Sequence, residues 1–262
     1  MNKLVDALKV RQVYYGWWIV FASMIVLSMG GGFYWLGFGV FFLPLAQEFS
    51  TSRAALSGAM SIAQLEGGLL GPVEGYLVDR FGPRRMMFIG VGIMGLGFIW
   101  MSQVESLFMF YVVYLLLISL GMSMGIRVPA LVAPTNWFVR KRGIALGLTT
   151  SGVGIGGLFV PMLGWLIINL GWRSTASIAG LLIWVVGLPL AAVMRHRPEH
   201  YGLLPDGRTI TPSVELQQES SHNGLSTEEV TAIHERDVEA TYTMIEALKT
   251  PVFWLLSVVF GL

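Results

Sequence analysis

Gly75-Tyr76-Leu77-Val78-Asp79-Arg80-Phe81-Gly82-Pro83-Arg84-Arg85 is a short charged stretch between two long apolar runs. Hydrocarbon cannot solvate such a turn, so it belongs at a membrane surface. Gly82 and Pro83 break the helix and set the turn. Arg80, Arg84 and Arg85 mark that surface as cytoplasmic, because short basic loops stay inside. The rest of the chain agrees. Of 262 residues, 54% are hydrophobic and only 13% charged, with a mean hydropathy of +0.66. A soluble domain carries about 25% charged residues, so an all-α integral membrane protein is expected. There are no cysteines, which excludes disulfides, thiol catalysis and Cys-based zinc sites. His196, His200, His222 and His234 all follow the last full apolar run, so no metal site is expected inside the membrane. The 32 glycines suit close helix packing in lipid.

Residues 1–13 carry Lys3, Lys9 and Arg11 against one acid, Asp6, and show no signal-peptide pattern. Tyr14, Tyr15, Trp17 and Trp18 form an interfacial aromatic cluster. Six spanning helices follow: one to about Leu45, then Arg53 to Val78, Met86 to Ser102, Leu107 to Trp137, Gly143 to Leu170, and Thr175 to Met194. Gly30-Gly31-Gly32 marks a bend or a close approach in the first. Residues 195–250 carry ten acids and read as a cytoplasmic linker. Within it, Ser226-Thr227-Glu228-Glu229 matches a capping box, so either a short helix starts there or the linker is disordered. Pro251 opens a last apolar run that ends at Leu262, read as the start of a seventh span, roughly 16 Å long at 1.5 Å per residue. The expected division is therefore a cytoplasmic N-terminus 1–13, a six-helix bundle 14–194, a linker 195–250, and the beginning of a seventh helix 251–262.

Charge fixes the expected topology. Lys3, Lys9, Arg11, Arg80, Arg84, Arg85, Arg140, Lys141, Arg142, Arg195 and Arg197 lie on one side, eleven in all, against Arg53 and Arg173 on the other. That asymmetry places the N-terminus and the linker in the cytoplasm.

The spacing Gly-x-Leu-x-Asp-Arg-x-Gly-x-Arg-Arg over 75–85 resembles the loop between helices 2 and 3 of the major facilitator superfamily. Trp137-Phe138-Val139-Arg140-Lys141-Arg142-Gly143-Ile144-Ala145-Leu146-Gly147 looks like the start of helix 5 in monocarboxylate transporters, and Tyr15-Gly16-Trp17-Trp18 looks like their aromatic-glycine lead into helix 1. Val40-Phe41-Phe42, Gly171-Trp172-Arg173 and Leu204-Pro205-Asp206-Gly207 are similar to stretches of bacterial members and of the oxalate/formate antiporter group. The resemblance implies the N-terminal six-helix half of a twelve-helix carrier, cut off in helix 7, whose C-terminal half is missing from the sequence. It implies transport of small organic anions, of monocarboxylate or oxalate/formate type, by alternating access. Coupling would be to a proton or to anion exchange. The setting implied is a multi-pass protein of a bacterial inner membrane, not an enzyme, with no cofactor and no nucleic-acid partner. One departure is specific: animal monocarboxylate transporters carry a lysine in helix 1 where Leu36 stands here, so that residue's role does not carry over. The other reading is a non-transporting membrane protein, namely a sensor, an assembly subunit or an inactive truncated fragment.

Three charges lie within the spans: Glu66, Glu74 and Arg127. Each costs about 2.5–3.5 kcal/mol at a helix centre on insertion scales, so each is expected to face a cavity or a partner. Glu66 lies 11 residues from Leu77, and Arg127 lies 11 from Phe138. Both are then roughly 16 Å from the cytoplasmic surface. The functional expectation is that Arg127 binds a substrate carboxylate, with Glu66 as its switchable partner or as a proton carrier. The structural alternative is a permanent Glu66–Arg127 pair that fixes helix packing. Glu74 is expected mainly to support the Asp79–Arg80 loop. Tyr34 is a third candidate at the binding site, although for it, as for Trp35 and Gln64, packing or lipid contact is the commoner role. Gly75, Asp79, Arg80, Gly82, Arg84 and Arg85 form the loop motif. In the family it resembles, that loop is a latch against the other half. Asp79 ends a helix whose dipole disfavours an anion, so Arg80, Arg84 or another helix N-terminus should compensate.

Gly90-Val91-Gly92-Ile93-Met94-Gly95 matches a dinucleotide-binding spacing but follows no strand, so nucleotide binding is excluded. Gly152, Gly154, Gly156 and Gly157, with Pro161 and Gly164, read as a packing face.

Overall fold

In the computed structural model of the chain, the described residues are 14–196, 198–201, 203 and 205–207. Residues 1–13, the capping pattern at 226–229 and the apolar run 251–262 lie outside them. All regular structure among the described residues is helical.

Helix α1, Tyr15–Glu48, is 34 residues long and runs beyond the expected end at Leu45. It is regular over Tyr15–Gly30, opens into a π-helical turn over Gly31–Leu36, and resumes over Phe38–Glu48. Helix α2, Arg53–Phe81, begins where Ser52 Oγ accepts the Ala55 amide at 3.2 Å. Helix α3, Pro83–Met101, starts on a proline, whose missing N–H costs nothing there. Gly82 separates α2 from α3 at φ 82, ψ 151, a conformation that side-chain-bearing residues avoid. Helix α4, Leu107–Trp137, is capped by Ser106 Oγ at 3.2 Å from the Met109 amide. It contains two π-helical turns, Tyr114–Ser119 and Met122–Arg127. Helix α5 covers 142–170, with a turn at Gly157 and Leu158, and α6 covers 172–193. Gly171 alone, at φ 80, reverses the chain between them. Trp172 and Arg173, expected in the turn, are already helical.

Among the described residues, four continuous helical stretches are long and apolar enough to cross a membrane: α1, α3, α4 and the 52-residue run Arg142–Val193, which folds back at Gly171 into α5 and α6. The sixth expected span, α2, differs. Its 29 residues reach roughly 44 Å at 1.5 Å per residue, which is length enough. It falls below the others in apolarity because it carries Glu66 and Glu74 and a row of small and polar residues, Ser57, Ser61, Gln64, Gly68 and Gly71.

Helix packing rests on missing Cβ atoms. A Cβ on Gly152 would overlap the Met24 carbonyl, and one on Gly156 the Ser28 carbonyl and Gly32 amide, so α1 and α5 touch backbone to backbone. Gly90, Gly121 and Gly125 do the same for α3 and α4. Small residues at crossings are how helices associate in lipid, where no hydrophobic drive exists between them. Gly154 faces open space, so the expected glycine face on α5 is narrower than the sequence suggests. Trp184 Nε1 donates to the Gly92 carbonyl at 3.0 Å and joins α6 to α3.

Each end of the bundle is tied. At the end away from the arginine-rich turns, Arg173 pairs with Glu48 at 3.0 Å and donates to the Ser102 carbonyl at 2.8 Å, joining the ends of α1, α3 and α6. At the basic end, Tyr15 Oη donates to the Val193 carbonyl at 2.8 Å, and Tyr14 Oη to the Trp137 carbonyl at 3.1 Å. The compact unit runs through Gly207, and the described residues of 195–207, a stretch expected as linker, pack with the bundle. Trp137 Nε1 donates to the Arg195 carbonyl and Asn136 Nδ2 to the His196 carbonyl, both at 3.3 Å. The Arg195 guanidinium lies over the rings of Tyr15 and Tyr201, at 3.9 and 4.3 Å.

Candidate functional site

Helix α2 buries Leu56, Ala59, Ala63, Glu74 and Val78 and leaves Ile62, Leu65, Leu69 and Val73 exposed. Its buried edge follows the i, i+3, i+4 pattern of one helix face and lies against α4. Tyr111 Oη donates to the Ala55 carbonyl and pins the two helices at one end of this contact.

Farther along, α4 presents Ser119, Ser123 and Arg127, one residue per turn on a single face. Ser123 Oγ donates to Glu74 Oε2 at 2.7 Å, and Arg127 Nη2 donates to Ser123 Oγ at 3.1 Å. Arg127 Nη2 lies 3.8 Å from Glu74 Oε2. The serine is thus a hydroxyl bridge inside the ion pair. The pair is asymmetric: the Glu74 side chain is 1% exposed and that of Arg127 is 39% exposed. Glu74 is the buried anchor, and Arg127 keeps a surface that a further ligand can reach. Gly67 makes room for it, since a Cβ there would stand 3.5 Å from Arg127 Nη2.

This corrects the expected pairing. The partner of Arg127 is Glu74, not Glu66, and Glu74 does not serve the Asp79–Arg80 loop. Arginine's long side chain lets it choose a carboxylate two turns from the one at matched Cα depth. Glu66 belongs to an adjoining group. Tyr34 Oη, on α1, donates to Ser119 Oγ at 3.3 Å, and Ser119 stands beside the Glu66 carboxylate. Glu66 Oε2 is buried and receives no hydrogen bond from the described residues. Glu66 and Arg127 are both near enough to act on Tyr34 electrostatically. The three expected residues Arg127, Glu66 and Tyr34 therefore do come together, whereas Trp35 and Gln64 are exposed. The Tyr34 ring stacks on Tyr114 at 5.7 Å and 13°.

The three π-helical turns all fall here. One holds Tyr34, the second ends on Ser119, and the third holds Ser123 and ends on Arg127. Such turns interrupt the regular helix and recur at functional sites. Ser119, Ser123, Tyr114 and Gly67 were not singled out in the sequence; the i, i+4, i+8 spacing of Ser119, Ser123 and Arg127 was the available signal.

The loop motif lies apart from this site. Arg80 Nη1 donates to Tyr76 Oη at 2.9 Å, and its guanidinium lies over the Phe81 ring at 5.7 Å. Asp79, Arg84 and Arg85 are exposed, and none makes an ion pair with another described residue. The expected compensation of Asp79 by Arg80 or Arg84 is therefore absent among the described residues. Gly75 has open space where a side chain would begin. On the same end, Asp206 accepts the amides of Val139 at 3.2 Å, Arg140 at 2.8 Å and Lys141 at 3.3 Å, so a residue far along the chain caps the turn into α5.

Residues 17–262 match the sequence profile of the Major Facilitator Superfamily. Similar curated proteins include the uncharacterized MFS-type transporter YcxA of Bacillus subtilis (strain 168), 27% identical over 70% of this chain and 45% of that protein. The oxalate:formate antiporter of Oxalobacter formigenes is 28% identical over 68% of this chain and 42% of its own length. Monocarboxylate transporter 13 of Bos taurus is 30% identical over 68% of this chain and 41% of its own length. The chain spans less than half the length of these relatives.

Proposed function

We infer that the chain, which belongs to the Major Facilitator Superfamily, supplies the N-terminal half of a carrier that moves small organic anions across a bacterial inner membrane by alternating access. The observation behind this reading is the half-exposed Arg127 guanidinium at the α2–α4 crossing. A guanidinium is a planar, permanently charged fork that suits a carboxylate. Inside a membrane such a charge marks a substrate path by default. Glu74 and Ser123 hold it in place between transport events, and an arriving carboxylate takes over its free N–H groups. Oxalate, formate and small monocarboxylates are the candidate substrates, since relatives named for them are among the similar proteins.

The eleven-to-two distribution of basic residues supports a cytoplasmic N-terminus. The exposed Asp79, Arg84 and Arg85 are then free to latch onto a second six-helix half and to release it as the carrier changes state. The deciding experiment is uptake of radiolabelled oxalate and formate by vesicles carrying a version extended to the length of its relatives. Arg127→Leu should abolish uptake at normal expression; unchanged uptake would remove the reading.

A further inference from the structure

Among the described residues, three arginines stack on aromatic rings near the ends of the bundle. Two of them give the edge of the guanidinium to an oxygen. Arg173 lies over the Trp172 ring at 4.5 Å and donates to Glu48 and to the Ser102 carbonyl. Arg80 lies over the Phe81 ring at 5.7 Å and donates to Tyr76 Oη. Arg195 differs. Its guanidinium lies over two rings, Tyr15 at 3.9 Å and Tyr201 at 4.3 Å. Yet among the described residues no carboxylate is in ion-pair range of it, and no oxygen accepts its side-chain N–H groups.

Stacking engages the face of a guanidinium and leaves its N–H groups at the edge. The residue is also held from behind. Trp137 Nε1 donates to its carbonyl at 3.3 Å, the Trp137 ring packs on Tyr15 at 5.4 Å, and Tyr15 Oη donates to the Val193 carbonyl. The fork is therefore preset, and little further ordering is needed when an oxyanion meets it.

The level of Arg195 in the fold indicates which oxyanion that is. Helix α1 begins at Tyr15 and α6 ends at Val193, so Arg195 stands where two spans leave the hydrocarbon. Trp18, in the first turn of α1, is 55% exposed, and tryptophans so placed sit at headgroup level. The oxyanion found at that level in a bilayer is the phosphodiester of a phospholipid. Arg140 and Lys141, exposed at the same end of the bundle, add an attraction for headgroups of net negative charge.

We propose that Arg195 is a binding site for the phosphate of an anionic phospholipid, to which the ring-stacked guanidinium donates its edge N–H groups. The site is separate from Arg127 and holds one lipid where α1 and α6 meet the membrane surface. A basic residue just past α6 also suits the negative end of that helix dipole, but that contribution requires charge alone, which a lysine supplies.

The test is native mass spectrometry of the detergent-purified 262-residue chain titrated with phosphatidylglycerol, with inorganic phosphate as the soluble probe. Wild type should hold one phosphatidylglycerol at least about tenfold more tightly than Arg195→Gln. Arg195→Lys keeps the charge but not the planar fork, and should weaken binding at least about threefold. Tyr201 is 47% exposed, so Tyr201→Leu removes one ring without opening the core and reads the stack even where an Arg195 variant loses its fold. It should also weaken binding at least about threefold. Lys141→Gln, which removes one charge from the same end, should stay within about threefold of wild type. Equal affinity in wild type and Arg195→Gln overturns the assignment, and so does an equal loss in Lys141→Gln and Arg195→Gln. Undiminished binding by Arg195→Lys or Tyr201→Leu would show that charge alone suffices and overturns it too. Inorganic phosphate bound as tightly as phosphatidylglycerol would make the ligand a soluble one and overturn the lipid assignment.

Discussion

Arg127 Nη2 and Glu74 Oε2 stand 3.8 Å apart with the Ser123 hydroxyl hydrogen-bonded to both. The contact is therefore a hydroxyl-bridged pair in which the acid is sealed and the base is reachable. A fully buried direct pair would lock α2 to α4. The bridged form lets the guanidinium exchange one carboxylate for another without uncovering Glu74.

Ser123→Ala tests the bridge. It removes the donor from a buried carboxylate, and leaving such an acceptor unsatisfied costs about 1–3 kcal/mol. The thermal unfolding temperature in detergent should fall, and the fall should shrink in the double variant Ser123→Ala, Glu74→Gln. Equal falls in the single and double variants would show that the bridge carries no energy.

Gly67 should be a size filter. Its absent Cβ would lie 3.5 Å from Arg127 Nη2 and 3.8 Å from Ser123 Oγ, which is ordinary contact, so Gly67→Ala should leave formate affinity within about threefold, a change of roughly 0.6 kcal/mol. Gly67→Val adds methyls in that direction and should weaken binding at least about tenfold, or 1.4 kcal/mol. Titration of the two variants decides, and an undiminished affinity for Gly67→Val would place the guanidinium elsewhere.

Gly82→Ala should destabilise the α2–α3 turn. The residue sits at φ 82, ψ 151, a region nearly reserved for glycine and costing about 1–3 kcal/mol for other residues. Its neighbour across the turn is the His196 ring, which a Cβ at this position would meet at 3.4 Å. Hydrogen exchange should rise at 79–86 while the α3–α6 contact stays protected; unaltered exchange at the turn would contradict the strain.

Asp206→Ala should uncap the turn into α5. Three amides donate to one carboxylate there, and losing a cap of this kind costs about 0.5–2 kcal/mol. Amide exchange should accelerate at 139–141, with Asp206→Asn recovering part of the protection. Equal protection in Asp206→Ala and wild type would show that the turn holds itself.

The helices were legible in the sequence because lipid imposes length and apolarity on each span, and because Gly82, Ser106 and Gly171 punctuate the runs. The cost of charges at depth pointed to Glu66, Glu74 and Arg127 as residues that face a cavity or a partner, whereas for Tyr34 packing or lipid contact was the commoner role. Partner choice was not legible. Counting residues inward from Leu77 and Phe138 gives depth along the axis but not direction around it, and α2 runs on to Phe81, which shifts the count. Two π-helical turns in α4 alter the direction again, and no residue pattern announces them. The capping role of Asp206 was not legible for a different reason: its partners lie 65 to 67 residues earlier, beyond any local periodicity. The lower apolarity of α2 was visible but easily read as a weaker span, when it marks the helix that carries both carboxylates.

The most direct test of the account is formate titration of wild type and Arg127→Leu in nanodiscs, each first shown to have the same unfolding temperature. Saturable binding by wild type, weakened at least about tenfold in Arg127→Leu, a loss of 1.4 kcal/mol or more, is the predicted result. Equal affinities in the two proteins would contradict it.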